Sequence, residues 1–97
     1  VEFLRRLTGK GMLRPPGMAA AKADYWLSVR RRKTGPKAGE VIISGQVATD
    51  MAALLGARDG RAWLTLETGA VYEVELHPLT TTTAEFRVLP PFNGLLD

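Results

Sequence analysis

The 97-residue chain has no cysteine. Disulfides, thiolate metal sites and cysteine nucleophiles are thereby excluded. The expectation is an intracellular protein, or part of an assembly formed there. Histidine occurs once, at His77, and serine twice, at Ser28 and Ser44. Neither serine sits in a nucleophile motif, and a lone histidine with scattered carboxylates is a thin set of metal ligands. The glycines form neither a phosphate loop nor a dinucleotide fingerprint. No catalytic residue, metal site, cofactor or small-molecule substrate is expected. No apolar run approaches the length of a membrane span, so no membrane partner is expected either. The opening Val-Glu-Phe-Leu-Arg-Arg-Leu breaks too early for a signal peptide, and a first residue of valine points to processing, trimming or a lost initiator methionine.

Charge is plentiful but unevenly placed. Net charge is +3. Residues 1–37 hold ten Lys or Arg against two acids, giving +8; residues 38–97 hold three Arg against eight acids, giving −5. Such a split points to an anionic partner for the first third, or to a basic segment folding back on an acidic face.

Length predicts one domain, which buries about 60–65% of its unfolded surface. Residues 1–24 read as a basic, Gly/Pro-rich N-terminal arm. Phe3, Leu4 and Leu7 line one side of a short helix, then Gly9, Gly11, Pro15, Pro16 and Gly17 interrupt it. Ala19 to Ala23 adds a helical turn. Residues 25–97 read as a small β-domain with a C-terminal tail, in which Phe92, Leu95 and Leu96 are expected to dock.

Alternation marks the strands. Tyr25, Leu27 and Val29 share one face of 25–33; Trp26, Ser28, Arg30 and Arg32 share the other. The β-branched run Val41-Ile42-Ile43 predicts burial on both faces of 40–48, with Gly45 at a bulge or bend. Thr49 or Asp50 caps a short helix over 51–55, with Gly56 just past its end.

Residues 61–77 form a β-hairpin. A two-residue loop at Thr68-Gly69 would face carboxylates to the apolar side. A three-residue loop, Thr68 to Ala70, pairs Leu66 with Tyr72, Leu64 with Val74 and Ala62 with Leu76. The pattern favours the second, although glycine is preferred last in such a loop and here is central. A last strand, 83–89, places Phe86 beside Val74 and Arg87 beside Glu73. Leu64, Leu66, Tyr72, Val74, Phe86 and Val88 form the expected core.

The fold class is mainly β: a small antiparallel barrel or rolled sheet of about five strands, with one short helix and an extended arm. The OB-fold has the strand count, but its helix lies between the third and fourth strands, and here it falls between the second and third. An SH3-like roll fits as well.

Two functional readings remain. In the first, the chain is a non-enzymatic interaction or assembly module. Its basic arm (Arg5, Arg6, Arg14) and the Arg30-Arg31-Arg32-Lys33 run dock on an anionic protein surface, another copy of itself included. In the second, it is a nucleic-acid-binding barrel using Trp26 and the 30–33 run, since basic side chains neutralise phosphates and an exposed aromatic stacks on a base. The bland alternative is a solvated strand end, with Trp26 packed under the arm. Trp63 reads as an interface anchor or as part of a second small core under the arm or tail. The acidic hairpin favours a protein partner, because it repels a nucleic-acid backbone.

Overall fold

A computed structural model describes residues 2–57 and 60–90. It contains six strands and one helix: β1 (Glu2–Arg14), β2 (Ala21–Arg31), β3 (Val41–Ala48), α1 (Met51–Gly56), β4 (Arg61–Thr65), β5 (Val71–Pro78) and β6 (Thr83–Val88). They form a closed antiparallel barrel in the order β1-β2-β3-β6-β5-β4. It consists of two three-stranded meanders, β1–β3 and β4–β6, linked through α1. They join along β3–β6 (Ser44–Ala48 with Thr83–Arg87) and β1–β4 (Met12–Arg14 with Trp63–Thr65).

The segment expected to be an arm with a short helix is instead the longest strand. Tertiary pairing overrides the local pattern. Leu7 lies opposite Leu27, and Leu13 is completely buried. Gly9 and Gly11, which look like breakers, are where the strand runs closest to its neighbours. A Cβ on Gly11 would collide with the Thr65 carbonyl oxygen, and one on Gly9 would press on the Tyr25 ring and hydroxyl. Glycine here permits close backbone approach rather than ending the strand. The β1–β2 turn runs Pro15-Pro16-Gly17-Met18, closed by Met18 N–H donating to the Pro15 carbonyl at 3.2 Å. Gly17 has φ +73°, which suits the third position of a type II turn after proline. The helical turn expected over 19–23 is absent, and β2 begins at Ala21.

With β1 counted, α1 falls between the third and fourth strands. The objection to an OB-like order on that ground disappears, but six strands in two meanders are not the five-stranded Greek key of that fold. The helix also differs in detail. Asp50 is the N-cap without a side-chain hydrogen bond, and the Thr49 hydroxyl donates instead to the Lys22 carbonyl at 2.8 Å. Gly56 is the last helical residue and Ala57 the C-cap. A Cβ on Gly56 would meet the Met18 thioether, the end of a flexible side chain, and lie 3.3 Å from Pro15 Cβ.

The hairpin keeps the expected faces but shifts by two residues: Leu64 pairs with Tyr72 and Ala62 with Val74. The loop is Glu67-Thr68-Gly69, fixed by Gly69 N–H to Leu66 O at 2.9 Å and Leu66 N–H to Ala70 O at 2.8 Å. Gly69, at φ +93°, now stands last in the loop, where a left-handed residue is required. The same two-residue shift recurs at β5–β6, where Val74 faces Val88 and Arg87 faces Glu75.

The core fills the barrel. All six expected core residues are buried in one cluster, which also takes in Leu13, Tyr25, Leu27, Val29, Ile43 and Val47. Tyr25 brings a polar atom inside and satisfies it, its hydroxyl accepting from Glu67 N–H at 3.1 Å. In β3 only Ile43 of the β-branched run is buried; Ile42 lies on the outer face beside Arg30, and Val41 lies near the end of the strand beyond the reach of β6, so both are half-exposed. Gly45 marks a close approach to the β2 backbone at Trp26 rather than a bulge. The irregularity lies in β1, at Leu4. The expected docking of Phe92, Leu95 and Leu96 lies outside the described residues.

Phe86→Ala is expected to destabilise the fold by about 3–5 kcal/mol and Leu13→Ala by about 2–5 kcal/mol, read by chemical denaturation. Deleting residues 1–14 should abolish cooperative unfolding. A truncated protein that melted normally would show that β1 is dispensable.

Candidate functional site

Inward and outward faces follow from burial. On β2, Ala23, Tyr25, Leu27 and Val29 point into the core, so Lys22, Asp24, Trp26, Ser28 and Arg30 point out. Register then sets their neighbours. Thr8 of β1 and Gln46 of β3 flank Trp26; Arg6 and Ser44 flank Ser28; Phe3 and Ile42 flank Arg30. On the far side of β3, Arg87 lies opposite Ser44 and Glu85 opposite Gln46.

The outer face is therefore hollowed over two small residues, Ser28 and Ser44, between larger walls. Two adjoining concavities of about 370 and 310 Å³ share Trp26, Ser28, Ser44 and Gly45. Arg30 and Glu85 line one; Arg6 and Thr8 line the other. Arg30 donates from Nη2 to the Ser44 hydroxyl at 3.1 Å, while its buried Nε has no hydrogen-bond partner among the described residues. The Arg6 guanidinium sits 5.2 Å from the centre of the Phe3 ring, a cation–π distance. Trp26 is 41% exposed.

Of the residues singled out from sequence, Arg6, Trp26 and Arg30 meet at this groove. The rest of the 30–33 run does not join them. Arg31 ends β2 and pairs with Glu2 at 4.0 Å; Arg32 lies in the following loop and pairs with Glu40 at 3.9 Å. Arg32 stands just past the end of β2, where Arg32 N–H to Glu40 O (2.9 Å) and Gly39 N–H to Arg32 O (2.7 Å) continue the pairing, and it does not line the groove. Lys33 is exposed in the same loop. Arg5 lies opposite Val29, on the other side of β1 from Arg6.

Arg14 and Trp63 form a separate spot. They face each other across β1–β4, with Glu73 beyond. Trp63 is 40% exposed, so Arg14 and the rest of β1 do not bury it in a second core. Along β1 this spot is six residues from the position opposite Trp26, or about 20 Å at the strand rise. Sequence reasoning placed Ser28 on the right face but missed Ser44, Gln46 and Glu85. The signal for them is a cross-strand register that alternation alone does not give.

His77 is exposed on β5, with Nε2 3.1 Å from Glu75 Oε1. Its strand is two spacings from β3, so Ser44 is about 10 Å away or more, beyond proton-transfer reach. Among the described residues, no three His, Asp or Glu side chains are grouped to hold a metal ion.

Arg31→Ala and Arg32→Ala should each change stability by less than about 1 kcal/mol, since both pairs are exposed and long. Denaturation curves will check this. A larger loss would mean that the pairs brace the β2–β3 turn. No family model matches the chain, and no curated protein or solved structure resembles it significantly.

Proposed function

We propose that the chain is a non-enzymatic interaction or assembly module whose basic β1–β3 half docks on an anionic protein surface, a second copy of the chain providing one such surface. The observation that supports this reading is how charge is divided around the barrel. Residues 2–48, which carry β1–β3, hold ten Lys or Arg and three acids, giving +7; residues 61–88, which carry β4–β6, hold two Arg and four Glu, giving −2. The ion pairs Arg31–Glu2, Arg32–Glu40, Arg61–Glu73 and His77–Glu75 each join residues of the same half. Each half forms one contiguous side of the closed barrel wall.

A molecule with one basic and one acidic side suits head-to-tail association. Such heterologous contacts close into rings or continue into filaments. Trp26 and Trp63 supply large exposed aromatic surface of the kind enriched at interface centres. Arg5, Arg6, Arg14 and the 30–33 run steer the approach of an acidic partner.

A nucleic acid is the alternative partner, favoured by the placement of Trp26 and Arg30 on one groove. Against it stand Asp24 and Glu85, which flank the groove on the same outer surface. A phosphate backbone tracking along β2 would cross one or the other.

Sedimentation at low and high salt tests the reading. Self-association should weaken as salt rises. Replacing Arg30, Arg31 and Arg32 together by Ala should weaken it further and flatten the salt dependence, with the fold of the variant checked by its melting temperature. If the chain instead stays monomeric, and an oligonucleotide binds at micromolar concentration in a manner lost with the three arginines, the nucleic-acid reading replaces this one.

A further inference from the structure

We propose that the groove over Ser28 and Ser44 is an oxyanion pocket that receives a carboxylate from the β5 face, Glu73 or Glu75, of a second copy of the chain. The proposal rests on the assembly reading above and names its contact.

The pocket has the parts that a carboxylate needs. Two arginines line it, Arg6 of β1 in one concavity and Arg30 of β2 in the other. Two hydroxyls, Ser28 and Ser44, form its floor. Arg30 is held in place by its bond to Ser44 but keeps a buried Nε–H that nothing among the described residues accepts. A buried donor without a partner is rare, and one on a charged group is costly. An arriving oxygen acceptor relieves that cost only through a shift of the Arg30 side chain, because the Nε is closed to solvent. Arginine suits the task because its planar fork matches a carboxylate. Trp26 walls one end and the Phe3–Ile42 flank of Arg30 the other, so the ion pair forms beside apolar surface, where screening is weak.

Size and charge favour a single carboxylate over a run of phosphates. Each concavity is about 310–370 Å³, room for one side-chain head group and water. Glu85, on the rim, leaves space for one anion and opposes a second.

The acidic half offers the matching group. Glu73 and Glu75 lie two apart on the outer face of β5, next to exposed Trp63. Their carboxylate oxygens already contact Arg61 at 3.5 Å and His77 at 3.1 Å, yet the side chains keep 34% and 42% exposure, so a further donor can share them. Because groove and carboxylates occupy opposite halves of one barrel, each copy can present both at once. The contact is therefore heterologous.

Complementation tests this directly. Arg6→Gln and Arg30→Gln remove one cation each; Arg6 is exposed, so its variant keeps the fold even if Arg30→Gln does not. Glu73→Gln/Glu75→Gln removes the carboxylates. Each variant alone should self-associate about tenfold more weakly than wild type in sedimentation equilibrium at low salt. An equimolar mixture of Arg6→Gln with Glu73→Gln/Glu75→Gln should form dimers that stop there, since one partner keeps the groove and the other keeps the carboxylates. If the wild type associates in a salt-dependent way but Arg6→Gln and Arg30→Gln associate equally well, the pocket is wrong and the assembly reading stands. Failure of the mixture to dimerise also overturns the pocket. A wild type that remains monomeric overturns both, and oligonucleotide binding lost in Arg6→Gln then marks phosphate as the ligand.

Discussion

The structure depends on closure at β1–β4. Only three residue pairs make that seam, Met12–Thr65, Leu13–Leu64 and Arg14–Trp63. Without it the two meanders would present unpaired edges at Met12–Arg14 and at Trp63–Thr65, and Leu13 and Leu64 would lose their cover. The seam is possible because Gly11 lets β1 lie against the Thr65 carbonyl, and because Gly9 leaves room for Tyr25. Tyr25 in turn anchors the β4–β5 loop through Glu67 N–H. Two missing side chains and one phenol hydroxyl thus couple the halves at the end where the hairpin turns.

How much was legible follows from what each pattern encodes. Alternation encodes parity, so the faces of β2, β4, β5 and β6 were readable and all six expected core residues are buried, though the cluster is larger than those six. Parity is blind to shifts of two, and both β5 pairings moved by that amount. Gly69 carried the missing information: a left-handed residue belongs last in a three-residue loop, which sets the loop at Glu67–Gly69. The alternation around the turn left that shift open, and only turn chemistry closed it. β1 was misread for the opposite reason. Its glycines satisfy a tertiary approach that no local window contains, and Phe3, Leu4 and Leu7 carry a spacing that suits a helix as readily as a bulged strand. The bulge at Leu4 is what breaks the two-residue rhythm.

The groove was half legible for the same reason. Trp26, Ser28 and Arg30 follow from β2 alone. Arg6 enters only once β1 is a strand, and Ser44 and Glu85 only once β3 and β6 have a register. Charge was legible as a split along the chain, but the choice between a free basic segment and one folded onto the acidic face needed topology. The order β1-β2-β3-β6-β5-β4 keeps each meander contiguous, so the charge division along the chain becomes a division around the barrel.

That division bears on why an assembly contact would be directional. Two basic halves repel and two acidic halves repel, so the pairing that lowers electrostatic energy is basic to acidic. A two-fold dimer can satisfy this only if both halves meet in one patch, whereas a head-to-tail contact satisfies it with any rotation that brings the groove to the β5 face. The basic half carries more charge than the acidic half can neutralise, +7 against −2 by the same count of strands. A chain of such contacts would accumulate positive charge with each copy added. Its growth is then limited by self-repulsion unless a further anionic partner joins, and that excess makes the assembly sensitive to ionic strength at every step.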